Sequence, residues 1–385
     1  MSSGSGPSVL FLSANAGTGH TMAAEAVKQS LQELDPSISC EIVNSYKYLN
    51  LILEKLMQDG YLHLVRLLPK VYGYLYDRKN KKRSIRGIKD WLNKVSAGNF
   101  KKMIEEKQPD VIVCTHAFPC GVLSYIRQHF GLDHKIMGVV TDFVISPFWI
   151  YPETDMYMVA ASDLKKDLIA RGVQSSKVVA SGIPINPKFY EEISKTDLRN
   201  KLDLSSDLPL VLVMGGGLGM SPVTGIIRTL KKITVPYQAV VITGTNEKMK
   251  RKLDDTLSKL PNVRGRVKIL GFVDNIYEYM KAADLLVTKP GGMTAAEAIS
   301  IGLPMIITSP IPGQEIRNAK YLVEKGISIC INDEKELPAA IEEFLKSKSQ
   351  QKKMSKKANA IASPNAAGEV ARQIYKMINQ KQPEG

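Results

Sequence analysis

The sequence predicts an α/β protein made of two doubly wound, Rossmann-like domains facing a cleft. Three observations lead there. Short apolar, β-rich runs recur along the chain, each followed by a helical pattern; the series restarts near residue 208; and a breaker-rich stretch, Ser181-Gly182-Ile183-Pro184-Ile185-Asn186-Pro187, separates the two series and suits a hinge. The first series holds Val9–Leu12, Val111–Cys114, Ile136–Val140 and Tyr157–Ala160. The second holds Leu210–Met214, Ala239–Thr243, Val267–Leu270, Asp284–Thr288 and Met305–Thr308. The expected boundaries are 8–187 for the N-terminal domain and 188–365 for the C-terminal domain. Residues 366–385, with a helix over Gly368–Ile378, are expected to pack back on the first domain. In such folds ligands bind beyond the carboxyl ends of the strands, so residues that follow strands are the candidate site residues.

Composition narrows the class. The chain has 385 residues, 44% of them apolar, enough for a core in each domain. No apolar run approaches the roughly 18–20 residues that span a bilayer. The N-terminus, Met1-Ser2-Ser3-Gly4-Ser5-Gly6-Pro7, lacks the basic region of a secretory signal. Cys40, Cys114, Cys120 and Cys330 show no CxxC spacing, so neither a zinc site nor a disulfide framework is indicated, and the chain reads as cytosolic. The net charge of +14 is concentrated between Arg78 and Lys102, where Asp90 is the only acid. Residues 46–77, just before it, place leucines and tyrosines at helical spacing. Aromatic rings beside clustered cations read as an element lying on an anionic membrane surface, with a buried helix pair as the alternative. Nucleic acid is not expected, because no recognisable nucleic-acid module accompanies the charge.

The turns carry the chemistry. Lys289-Pro290-Gly291-Gly292-Met293-Thr294-Ala295-Ala296-Glu297 follows a strand and opens a helix. Backbone N–H groups at such a helix start favour an anion, and Glu297 can accept two hydroxyl hydrogen bonds of the kind a ribose offers. Met214-Gly215-Gly216-Gly217-Leu218-Gly219 follows another strand and allows close backbone approach to a diphosphate. Asn15-Ala16-Gly17-Thr18-Gly19-His20 matches neither a Walker A loop nor GxGxxG. There the start of a helix, expected over Met22–Leu34, would lower the His20 pKa and keep the imidazole a neutral general base. Asp142 lies at the end of Ile136–Val140, able to orient His20 or to act as base itself. His116 ends Val111–Cys114, and Gln314 and Glu315 follow Met305–Thr308 within reach of sugar hydroxyls.

Together, the Gly-x-Gly-His loop, the Gly-rich loop that opens the second half, and KPGG-x-T-x-x-E followed by PGQE-x-x-N resemble the diacylglycerol glycosyltransferases. These are the monogalactosyldiacylglycerol synthases and the processive diacylglycerol glucosyltransferases, related to glycosyltransferase family 28. The resemblance runs from about Val9 to the C-terminal helix. It implies the GT-B fold and inverting transfer of a hexose from UDP-glucose or UDP-galactose to 1,2-diacylglycerol. No cofactor and no catalytic metal are implied, and the enzyme would be peripheral on the cytoplasmic face of the membrane. By the same resemblance, Glu297 holds the ribose; Gly291, Gly292, Met293 and Thr294 surround the diphosphate, with Gly215, Gly216 and Gly217 closing on it; and Phe272 and Val273 hold the uracil. Gln314, Glu315 and Asn318 lie near the donor sugar, while His20 or Asp142 acts as base, with Gly17, Gly19 and His116 on the acceptor side. Transfer of N-acetylglucosamine from its UDP donor to a polyprenyl diphosphate lipid, and UDP-sugar 2-epimerisation, are the alternatives in the same fold.

Overall fold

The computed structural model describes residues 6–14, 18–49, 82–215, 223–311 and 313–380, and for 82–89, 223, 224 and 264 the backbone alone. Two compact units result. The first comprises Met1–Pro187, Pro312–Gln314 and Asn365–Gly385, and the second Lys188–Ile311 and Glu315–Pro364.

The first unit holds β1 (Ser8–Ser13), β2 (Ser39–Asn44), β3 (Val111–Cys114), β4 (Lys135–Val139), β5 (Met156–Val159) and β6 (Val178–Ala180). They form one sheet in the order β2-β1-β3-β4-β5-β6, every pair parallel. One face buries Val9, Phe11, Val113, Met137 and Val139 against Ala24, Val27 and Leu31 of helix Gly19–Leu34 and Val370, Ala371 and Ile374 of helix Ala366–Asn379. Each large side chain so buried contributes about 1.5–3 kcal/mol, which holds the C-terminal helix to this unit. The chain leaves β1 toward β2 and returns to β3 on the other side, so the topological switch lies between β1 and β3. Leu12 is in register with Cys114, and Thr115 N–H donates to the Leu12 carbonyl at 3.1 Å. The residues that follow these two strands therefore emerge side by side.

In the second unit β7 (Leu210–Met214), β8 (Gln238–Ile242), β9 (Val267–Leu270), β10 (Leu285–Thr288), β11 (Met305–Thr308) and β12 (Ser328–Ile331) form a sheet in the order β12-β11-β10-β7-β8-β9, again wholly parallel. Its switch lies between β7 and β10, where Thr288 Oγ1 donates to the Met214 carbonyl at 3.2 Å. Every strand read from the sequence forms. The strands not read, β2, β6 and β12, are all sheet edges. β2 alternates polar and apolar residues and is largely solvated, β6 has three residues, and β12 begins with Ser328 and carries Cys330. An edge strand covered on fewer sides does not need the continuous apolar run of a central parallel strand.

Most of the segment read as interfacial, residues 50–77, lies outside the described residues. The part that is described differs from that reading. Tyr46 and Leu49 are buried with Ala14, Leu92 and Phe118, so here tyrosine and leucine serve the core. Helix Lys82–Lys107 turns Asn93, Ser96, Ala97, Phe100, Met103 and Ile104 inward, while Trp91 is 55% exposed and Val95 and Lys94 lie outward with it. Among the described residues no helix is long and apolar enough to cross a membrane.

Candidate active site

In the first unit the switch point gathers two histidines. Helix Gly19–Leu34 begins earlier than the sequence suggests, so Gly19 and His20 lie in its first turn. His20 Nδ1 is 2.9 Å from the Thr115 carbonyl and 3.0 Å from Thr141 Oγ1. A carbonyl only accepts, so Nδ1 carries the proton and the Nε2 lone pair is left for chemistry. The pKa is lowered as expected, but the physical cause is burial, with the hydrogen bond to Thr115 opposing it. Thr115 and Thr141 thus orient the ring. Asp142 accepts a hydrogen bond from the side-chain amide of Gln314, which groups with this unit.

His116 caps helix Ala117–Phe130: its Nδ1 accepts from the Phe118 N–H at 3.2 Å, so its proton sits on Nε2. Burial, and then the neighbouring charge of His20, push its pKa well below the usual range. The two rings meet edge to face with centroids 4.8 Å apart. The site therefore holds two neutral imidazoles of opposite tautomer, and only His20 leaves Nε2 as a base. Gly17 lies outside the described residues. Thr115 and Thr141 were missed by the sequence reading, although each directly follows a predicted strand.

The second unit's switch point builds a different kind of site. Helix Gly292–Ser300 has Gly291 as its N-cap, in extended conformation and with no side-chain cap. The first-turn N–H groups of Gly292, Met293 and Thr294 precede the first intrahelical bond, Ala295 N–H to the Gly291 carbonyl at 3.0 Å. A Cβ built on Gly291 would meet nothing within 4 Å, so the space before these donors is open. Asn318, 1% exposed, donates to the Pro290 carbonyl at 3.1 Å. This bond fastens the turn.

Glu297 stands one turn into the helix and is 8% exposed. Among the described residues its carboxylate has no hydrogen bond or ion pair, and burial alone pushes its pKa up to about 8. Lys289, also buried, has its pKa lowered by burial, against which the charge of Glu315 acts. Glu315 in turn accepts from the Ile311 N–H at 2.8 Å. Gly215 is buried at the end of β7, its N–H donating to the Ile242 carbonyl at 3.4 Å; Gly216 and Gly217 lie outside the described residues. After β9, Phe272 is 69% exposed and Val273 half-buried. An aromatic ring left in water at the carboxyl edge of a sheet is free to stack on a planar base. Among the described residues no group of three or more His, Cys, Asp or Glu side chains is placed to hold a metal ion.

The family model for monogalactosyldiacylglycerol (MGDG) synthase matches residues 20–185, and that for the glycosyltransferase family 28 C-terminal domain matches 210–371. A processive diacylglycerol β-glucosyltransferase of Bacillus mycoides is 30% identical over 373 residues, 94% of this chain and 92% of its own length. One from Bacillus licheniformis is 29% identical over 384 residues, 97% of each. Among solved structures, Acinetobacter baumannii MurG aligns with a TM-score of 0.62 at 16% identity, covering 96% of this chain and 100% of its own. A putative UDP-N-acetylglucosamine 2-epimerase from Listeria monocytogenes aligns at 0.63 and 16%, covering 98% of each. These structural likenesses establish the two-domain GT-B fold and nothing finer.

Proposed function

The chain belongs to the diacylglycerol glycosyltransferase family, and from that premise we propose that it transfers a hexose from UDP-glucose or UDP-galactose to the hydroxyl of 1,2-diacylglycerol, with inversion and without a catalytic metal. The observation that carries the reading is the pairing, on one short helix, of uncapped N–H donors with the nearly buried, unpartnered carboxylate of Glu297. Donors alone suit any anion. A carboxylate with no partner, one turn further on, suits the two hydroxyls of a ribose attached to that anion.

In this mechanism the N–H groups of Gly292, Met293 and Thr294, with Lys289, meet the negative charge that grows on the departing UDP. Phe272 stacks on the uracil and Val273 flanks it, while Gln314 and Glu315 bind the sugar. His20 Nε2 takes the proton of the diacylglycerol hydroxyl as its oxygen attacks the anomeric carbon. The tautomer needed is already set by the Thr115 carbonyl, and the lowered pKa keeps the ring neutral. Asp142 is the alternative base.

Incubation with vesicles containing diacylglycerol and either UDP-sugar should yield a hexosyl lipid. If neither donor gives one and a free 2-epimer forms from UDP-N-acetylglucosamine, the epimerase reading replaces this one. If only a polyprenyl diphosphate lipid accepts sugar, the acceptor is wrong.

The acceptor also requires contact with a membrane, which we place at helix Lys82–Lys107 on its exposed Trp91, Val95 and Lys94. Trp91→Ala should reduce sedimentation with anionic vesicles at low salt, without altering the thermal shift given by UDP. Undiminished sedimentation would remove this face from the docking surface.

A further inference from the structure

The second unit contains a cavity of about 570 Å³ at the opposite end of its sheet from the nucleotide turn, beside Asp284 just before β10 and Pro304 just before β11. One wall is helix Lys348–Ile361, which carries five lysines and no acid. Lys352, Ser355, Lys356 and Asn359 all line the cavity, spaced i, i+3, i+4 and i+7, so they share one face of the helix. The apolar anchors of the same helix, Met354 and Ala358, lie on the neighbouring face and are buried. Lys352, Lys356 and Asn359 are exposed and Ser355 is half-buried, so this wall of the cavity is a solvated row of hydrogen-bond donors.

The cations opposite this stripe are already engaged. Lys195 Nζ pairs with Asp284 Oδ1 at 2.6 Å, and Lys281 Nζ donates to the Lys188 and Glu191 carbonyls, both at 2.6 Å. Asp284, the one acid among the described residues that line the cavity, is matched in full: its second oxygen accepts from Arg199 at 2.7 Å and from the Leu210 N–H at 2.7 Å. Lys352, Ser355, Lys356 and Asn359 have no hydrogen-bond or ion-pair partner among the described residues. The lysines are not spent on the end of helix Gly292–Ser300 either, because the Ala298 and Ile299 carbonyls accept from the Leu303 and Gly302 N–H groups. Gly302, at φ 65°, lets that turn pass close to Ser355 and Asn359, where a Cβ would lie 2.9 Å from Ser355 Oγ. The pKa of Lys195 is lowered by burial, against which its hydrogen bond to Asp284 and the Asp284 charge act, with smaller lowering effects from the charges of Arg199 and Lys348.

We propose that this cavity binds a phosphate group, held by the ammonium groups of Lys352 and Lys356 and by the Ser355 hydroxyl and Asn359 amide, as a second anion site separate from the nucleotide turn. Two ammonium groups and two neutral donors on one helix face match in kind a tetrahedral oxyanion, which offers several acceptor oxygens at once. Ile301 and Leu303 add an apolar part to the lining. The inference stands independently of the sugar-transfer reading.

The test compares the full-length protein with Lys352→Ala/Lys356→Ala by thermal shift, titrating sn-glycerol 3-phosphate against sodium chloride at matched ionic strength. Saturating UDP is present throughout to occupy the nucleotide turn. The intact protein should be stabilised by the phosphate and not by the chloride. The variant should need about tenfold more phosphate or worse, the loss expected for removing charge-assisted hydrogen bonds, while its shift with UDP alone is unchanged. A parallel arm measures sedimentation with phosphatidic acid vesicles. Loss in the variant of the soluble response assigns the site to a free phosphate ester; loss of vesicle binding alone assigns it to a lipid headgroup. An equal response of both proteins in both arms overturns the proposal, and the charge-preserving Lys352→Arg/Lys356→Arg should retain binding if the variant's loss is specific.

Discussion

Replacing His20 by alanine is expected to lower sugar transfer by on the order of 10²–10⁴-fold, the contribution typical of a positioned general base, while the thermal shift produced by UDP persists. The donor groups assigned to UDP lie on the second unit's strand ends, so loss of an imidazole in the first unit should leave them in place. The pH profile sharpens the expectation. Burial lowers the His20 pKa, so the acid limb of kcat/KM should fall below the ordinary histidine value of 6.5. An alanine variant with most of its activity retained would transfer the role of base to Asp142.

Glu297→Gln should have opposite effects on stability and on binding. Burial pushes the folded carboxyl up to about 8, against 4.5 for an unburied one. An acid whose folded pKa is raised costs nothing below the unfolded value, and the cost grows as pH climbs from 4.5 and is complete above 8. Near pH 7 that cost is on the order of 3 kcal/mol. The uncharged isostere removes it, so ligand-free Glu297→Gln should melt higher than the parent at pH 8 and equally at pH 4.5. UDP binding should nevertheless weaken about tenfold or more, since a hydrogen bond to a charged acceptor is worth roughly 1.5–3 kcal/mol. Calorimetry adds a signature: at pH 7 the parent should release a proton on binding UDP beyond any from UDP itself, and the variant should not. Equal UDP affinity in both proteins would show that the carboxylate does not hold the ribose.

This trade of stability for binding was legible in the sequence only in part. The strand-turn-helix around Gly291 announced a helix start, and Glu297 stood at the right spacing to share its face. That the glutamate would be nearly buried, with no partner among the described residues, is a property of tertiary packing, which spacing alone cannot reveal. The two switch points are similar. Central parallel strands such as Leu210–Met214 read clearly because they are apolar throughout, whereas edge strands such as Ser39–Asn44 do not. His20 was identifiable by its glycine-rich loop. Its partners Thr115 and Thr141 were not, because a threonine after a strand is too common to single out, and only the register of β1 with β3 brings Thr115 to the ring. Tyr46 shows the opposite failure: a tyrosine-rich run beside cations looked interfacial, yet this ring is buried in the core.

The central claim, inverting hexose transfer to diacylglycerol with a neutral histidine as base, is tested most directly by the anomeric configuration of the lipid product. The protein would be supplied with diacylglycerol vesicles and each UDP-sugar, and the purified glycolipid examined by the proton coupling at its anomeric carbon. Attack from the face opposite the departing UDP predicts a β-linked hexosyl diacylglycerol from the α-linked donor. An α-linked product, or no glycolipid from either donor, would contradict it.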